Sequence, residues 1–371
     1  AIFVKRSQNW KAVFLLRWAG WSLSPKVNQR LPELIARAGD DVIYVHDSRH
    51  ISGEVTPMQL TLGPVLYHWQ PEQWRDFYFR IAEEAPVDVV VVGEIVCSKR
   101  SPFFAEHMPV VIERLAACGK QVVLGSLILV SLQRERRQMA ELAGNTDFMV
   151  EANDLSCFGS LAGRPYAIGP FVNIYNEATA AYFAGRGARR ICLPPELPMD
   201  SIRTIATALP DVTTEVFAFG RVPLAISARC YHARLHKLSK DNCRFVCEKD
   251  PDGLTVTTLD GEPFLAMNGV QTMSHACGNL LGEVEELAAV GVGALRLSPQ
   301  QCDMVAVAQV FRDVVDGNRE HEDATRALSQ IYPDAPFANG FVHGQLGAAF
   351  ISASKEPGLA GGRAQMQHSM P

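Results

Sequence analysis

From residue 58 onward, short runs of β-branched and other apolar residues alternate with longer stretches whose apolar positions recur every three to four residues. The first pattern marks buried parallel strands and the second amphipathic helices. Strands are predicted over residues 63–69, 88–94, 121–127, 148–152, 167–172, 190–193, 215–219 and 294–297. Helices are predicted over 103–118, 132–143, 177–184, 199–208 and 280–290. Another follows the last strand, where Met304, Val307, Phe311 and Val314 share one face. Eight strands alternating with helices are the count of an α/β fold of the (β/α)8, TIM-barrel-like kind, over about residues 58–317. A doubly wound open sheet would share the pattern, but no G-x-G-x-x-G follows the first strand.

The repeat breaks between residues 225 and 280. A loop rich in Cys, Lys and Arg comes first, then two β-like runs, 254–258 and 263–267, joined by Leu259, Asp260 and Gly261. Asp-Gly between such runs signals a hairpin. A Cys-rich insertion and a β-hairpin are therefore expected after strand seven, on the rim where barrels carry their chemistry. Residues 1–57 look foreign to this scheme: they hold Trp10, Trp18 and Trp21 and an excess of basic residues. Met58 is the expected natural start, and 1–57 an upstream read-through or poorly ordered extension, with a lead-in helix as the rival reading. Residues 58–353 are expected to form the barrel domain and the Gly/Pro-rich residues 354–371 a disordered tail.

Hydrophobic residues make up 47% of the 371 and charged residues 20%, which suits a globular core. The formal charge of −5 argues against a nucleic-acid binder working through a global basic field, and leaves room for a local basic patch. The apolar run near the N-terminus stops at Arg17, too short for a secretory signal, and no run reaches the roughly 20 residues of a membrane span. A cytoplasmic protein is expected. In a reducing compartment the nine cysteines are buried thiols or metal ligands rather than a disulfide framework.

Cys230, Cys243 and Cys247 fall within the irregular loop, spaced C-x12-C-x3-C among polar and basic neighbours. Cys97 follows the second strand, and the loops after strands two and seven open on the same rim of a barrel. Four thiolates suit a [4Fe–4S] cluster or a structural zinc ion. His232 and His236 beside Cys230 keep a mixed Cys/His zinc site open, and a loop with no metal is the third reading. Lys99, Arg100, Arg229 and Arg296 would crowd the same rim, either as an anion site for a dicarboxylate or as cations offsetting a net negative cluster. Asn173 and Tyr175 follow a strand and are candidates for substrate contact, with Asn176 equally a helix cap. Glu94 and Glu151 end strands at rim depth, as acid–base groups or as partners of a rim Arg or Lys.

Residues 215–230, EVFAFGRVPLAISARC, resemble the signature of the U32 family, historically labelled collagenase-like peptidases. GEIVCSKR (93–100), NIYNEAT (173–179), PLAISARC (223–230), KDNCRFVC (240–247), NGVQTMS (268–274) and VGALRLSPQ (292–300) resemble, in order, the members that act in ubiquinone biosynthesis. The resemblance covers about residues 58–350. It implies one [4Fe–4S] cluster held by Cys97, Cys230, Cys243 and Cys247. It further implies a heterodimer with a UbiU-like U32 protein. That pair would hydroxylate prenylated phenol ubiquinone precursors without O2, with prephenate as oxygen donor. Peptidase chemistry finds no support in the residues, since neither H-E-x-x-H nor G-x-S-x-G occurs. A U32-type metal-dependent hydrolase and a zinc-pinned scaffold without catalysis are the alternatives.

Overall fold

The computed structural model describes residues 57–352 and the backbone of two short strands, Ile2–Lys5 and Val42–Val45, which pair antiparallel. The chain divides into two units, Ala1–Pro57 and Met58–Pro371. The expectations for the rest of residues 1–57 and for 354–371 lie outside the described residues.

In the second unit the strands are β1 (Gln59–Leu62), β2 (Val89–Val92), β3 (Gln121–Gly125), β4 (Met149–Ala152), β5 (Tyr166–Ile168), β6 (Ala188–Cys192), β7 (Thr213–Ile226), β8 (Leu254–Thr257), β9 (Pro263–Asn268), β10 (Gln271–Asn279), β11 (Ala294–Leu297) and β12 (Phe337–Ala338). From β1 to β7 each strand pairs parallel with the next, and β11 pairs parallel with both β7 and β1. The result is a closed eight-stranded parallel barrel, as the alternation of strand and helix patterns predicts. β2 is four consecutive valines, all buried, because helices and barrel interior cover its two faces. The helix after β11, Met304–Val315, buries Met304, Val307, Ala308, Val310 and Phe311. Fully burying such side chains stabilises by about 1.5–3 kcal/mol each. Asp303 caps this helix by accepting from the backbone N–H groups of Val305 and Ala306.

Two of the differences from the pattern-based expectation bear on the site. The first strand is Gln59–Leu62, not 63–69. Residues 63–69 are instead a buried loop: Tyr78 Oη accepts from the Val65 N–H (3.2 Å), Trp69 Nε1 donates to the Pro251 carbonyl (2.8 Å), and the Leu66 carbonyl accepts from Gln271 Nε2 (2.7 Å). An apolar loop pinned under an insertion has the same hydropathy as a buried strand. The second difference is a third strand after the hairpin. β8, β9 and β10 form an antiparallel meander, and β10 continues onto the far end of β7. β7 is thus fourteen residues long: its first half closes the barrel and its second half leaves the barrel as the floor of the insertion.

Side chains from five strands meet in one buried ion network: Thr61 of β1, Glu151 of β4, Arg190 of β6, Glu215 of β7 and Arg296 of β11. Contacts among so many strands are possible only in the barrel interior, where branched apolar side chains are usual.

Candidate metal centre

Cys97 leaves β2 through a turn held by one carboxylate. Glu94 Oε1 accepts from the N–H groups of Val96 (2.8 Å) and Cys97 (2.9 Å). Cys230 is the N-cap of the short helix Tyr231–Leu235, its sulfur accepting from the Ala233 N–H at 3.4 Å. Cys243 and Cys247 flank a reversal in which Arg244 and Phe245 both take left-handed backbone (φ 48° and 52°). Non-glycine residues in that region cost of order 1 kcal/mol or more and persist where the surroundings over-determine them.

These turns bring all four cysteines to one small, partly open recess, which Lys99, Arg100 and Lys240 also line. Cys230 and Cys247 are buried; Cys97 and Cys243 are half-buried. All nine cysteines are free thiols. The recess walls include Phe245 and Val246, two apolar side chains from within the C-x3-C segment.

Arg100 is the buried cation of the site. It is 1% exposed, donates to Asn268 Oδ1 (2.6 Å) and to the Leu66 carbonyl (3.3 Å), and turns its charge toward Cys97 and Cys247. Burial pushes the Cys97 and Cys247 thiols up, and the Arg100 guanidinium opposes that rise at both. Asn268, positioned by Arg100, donates in turn to the carbonyls of Cys247 (3.0 Å) and Asp250 (2.8 Å). A buried fixed cation against four soft donors fits an anionic thiolate-ligated centre. The donor set admits zinc as well. In a closed zinc shell, Zn–S bonds of about 2.3 Å place the sulfurs roughly 3.8 Å apart. Both a cluster and a single ion are therefore chemically admissible at these four thiols.

The other sequence-derived candidates separate. Lys99 sits at the recess and is tied down, donating to the Lys240 carbonyl (2.7 Å) and to Asp241 (3.3 Å). Arg229 is exposed on the strand side of Cys230. Asn173 takes left-handed backbone (φ 62°) in the exposed loop after β5, and Tyr175 there is hydrogen-bonded to Glu196. The structure does not bring these two to the thiols; Asn176 caps the helix Glu177–Ala184 through the Thr179 N–H. Arg296 is enclosed in the barrel with Glu151 and Glu215 on its guanidinium, so it is no open anion site. Of the two readings for Glu151, the ion-pair partner is the one the structure displays.

Asn268, Gly269 and Lys240 belong to the site's support and are not singled out by thiol spacing. The available signal is Asn268–Gly269, an Asn-Gly pair between two β runs. Gly269 has φ +70°, its carbonyl accepts from the Cys230 thiol (3.3 Å), and a Cβ there would collide with the Arg100 guanidinium. Gly269→Ala is expected to cost about 1–3 kcal/mol from the positive φ and the displaced cation. Urea denaturation and the metal content of the purified variant check it: lower stability together with reduced metal occupancy is the expected pair.

The fold and site define a TIM-barrel-like protein with a four-thiol recess, and comparison with known proteins narrows the class further. The family model for Peptidase family U32 matches residues 78–351, so this chain belongs to the U32 family. It is 26% identical over 193 residues to tRNA hydroxylation protein P of Helicobacter pylori strain J99, covering 49% of this chain and 45% of that protein. The same-named protein of H. pylori strain 26695 is 28% identical over 159 residues, covering 40% of this chain and 37% of that one. The chain thus spans less than half the length of these curated relatives. A crystal structure of D-psicose 3-epimerase with D-tagatose from Clostridium cellulolyticum H10 superposes with a TM-score of 0.33 at 10% identity, over 75% of this chain and 100% of that one. At that score it carries no argument. No helix among the described residues is long and apolar enough to cross a membrane.

Proposed function

We propose that this chain is a UbiV-like iron–sulfur subunit of an O2-independent hydroxylase. In this reading it pairs with a UbiU-like U32 protein, acts on prenylated phenol precursors of ubiquinone, and takes the oxygen from prephenate. The observation that carries the reading is the convergence of Cys97, Cys230, Cys243 and Cys247 on one recess beside the buried Arg100. Family membership and the hydroxylation named for the relatives support it.

The four cysteines would hold a [4Fe–4S] cluster, which supplies one-electron transfer when bound. Full thiolate ligation leaves the donor molecule to be held by the protein rather than by the metal. Lys99 and Lys240 line the recess and would offer cationic contact for a carboxylate in exchange for their bonds to Asp241 and to the Lys240 and Ala228 carbonyls. Arg100, held by Asn268 and the Leu66 carbonyl, would offset cluster charge from behind.

One further observation favours a second substrate. Arg229, Arg234, Lys237 and Arg244 are exposed around the cysteine segment, a local basic patch on a chain of net charge −5. Such a patch suits a phosphate backbone, as in a tRNA substrate. One experiment separates the two. A deletion strain grown without O2 is complemented with the wild type or with Cys243→Ala, and its quinones and tRNA nucleosides are profiled by mass spectrometry. Loss of ubiquinone, restored by the wild type only and with tRNA unchanged, is the expected result. Normal ubiquinone with a missing hydroxylated nucleoside would overturn the quinone reading in favour of tRNA.

A further inference from the structure

We propose a second metal site, outside the thiol recess, formed by His232, His236 and Asp250 and suited to a divalent first-row ion such as Mn2+, Fe2+ or Zn2+. One ligand atom from each of the three lies within 4.8 Å of the other two. His232 is fully buried, and its Nε2 stands 2.9 Å from Asp250 Oδ2. That approach is an ion-pair contact whose geometry falls short of a well-formed hydrogen bond, so the carboxylate only partly satisfies the ring. A fully buried imidazole is costly unless its nitrogens are well satisfied, and a metal ion shared with the carboxylate would satisfy it better than this contact does. Two imidazoles and a carboxylate whose ligand atoms all lie within 4.8 Å of one another are what a shared cation would explain.

The local fold places the ligands for this. His232 lies in the helix Tyr231–Leu235 and His236 is its C-cap, four residues on, so both rings emerge on one side. The rings stack with centroids 5.5 Å apart and planes 11° from parallel. Asp250 follows the 3-10 turn Val246–Lys249 and is half-buried. His236 is exposed, so the ion would keep open positions toward solvent. Two imidazoles and one carboxylate with open positions suit a first-row divalent ion. The structure therefore groups these histidines with a carboxylate, not with Cys230 in a mixed zinc shell.

The position has a consequence. His232 is two residues past Cys230, and Asp250 is three past Cys247. An ion held here would clip together both ends of the segment that carries three of the four thiols.

The test uses the full chain, purified anaerobically, treated with EDTA, desalted, and titrated with Mn2+ while the free-ion EPR signal is followed. Mn2+ is a hard ion that favours oxygen donors such as Asp250 over soft thiolates, which keeps it off the cysteines. One Mn2+ per chain is expected, with affinity falling at least tenfold in both His236→Ala and Asp250→Asn. His236 is exposed, so its variant keeps the fold if Asp250→Asn does not. Iron and sulfide are measured in the same samples and are expected to be unchanged in His236→Ala. No Mn2+ binding by the wild type, or undiminished binding by His236→Ala, overturns the site. A chain that binds Mn2+ as expected but holds no iron or sulfide keeps this site and overturns the cluster reading.

Discussion

Cys243→Ala and Cys97→Ala, each purified anaerobically as the full chain, are expected to lose iron and acid-labile sulfide together, from about four of each per chain to less than about one. Visible absorption should disappear in step with the metal. The two variants test different things. Cys243 sits within the C-x3-C segment, where any thiol-based site would use it. Cys97 follows β2, which only β11 and β1 separate from β7 around the barrel, and it meets the other three thiols at the recess. Loss in both therefore tests the fourth ligand as well as the centre. A zinc site would behave otherwise, with one zinc and no sulfide in the wild type and no visible band. That result would overturn the redox reading and leave a structural pin on the insertion. If Cys97→Ala kept a full cluster while Cys243→Ala lost it, the fourth ligand would lie elsewhere.

How much of this was legible before the fold depends on what identity alone conveys. Thiols carry their chemistry in their residue type, so Cys230, Cys243 and Cys247 stand out by spacing, and Cys97 follows once strands two and seven share a rim. The barrel was legible because its strands are buried on both faces and appear as unbroken apolar runs, as in the four valines of β2. β1 was displaced because the buried loop after it is more apolar than the strand itself. β10 was missed because its pairing with β7 slips twice, between Thr272 and Met273 and between Met273 and Cys277, which destroys the alternation a strand normally shows. Asp250 was invisible as a ligand because one carboxylate among 40 acidic residues has no signal until it meets two imidazoles. Arg296 was the reverse case. A single Arg ending a strand has the same pattern whether it faces substrate or an ion network. Only the carboxylates of β4 and β7, distant in sequence, decide between the two.

Arg296→Met is accordingly expected to act on stability rather than on substrate affinity, lowering the unfolding free energy by about 3–5 kcal/mol. Its guanidinium is 2% exposed and is shared between Glu151 and Glu215, while Arg190 reaches Glu215 Oε2 at 2.6 Å. Removing Arg296 leaves the buried Glu151 carboxylate, among the described residues, with only the Asn153 amide and leaves Glu215 dependent on Arg190 and Thr61. Burial by itself would raise the Glu215 carboxyl, but the charges of Arg296 and Arg190 overcome it and hold it at about 2, against an ordinary 4.5. A carboxyl depressed in the folded state stabilises fully above its unfolded value, and that stability is lost as pH falls from about 4.5 through about 2. Without Arg296 the depression shrinks, so the acid-unfolding midpoint should move to higher pH. Urea denaturation at pH 7 and an acid titration followed by circular dichroism measure the two effects. The double variant Arg296→Met/Glu151→Gln should recover part of the loss, since the cost lies in the stranded charge more than in the missing ion pair. Unchanged stability with weakened binding of a dicarboxylate would instead return Arg296 to the substrate site.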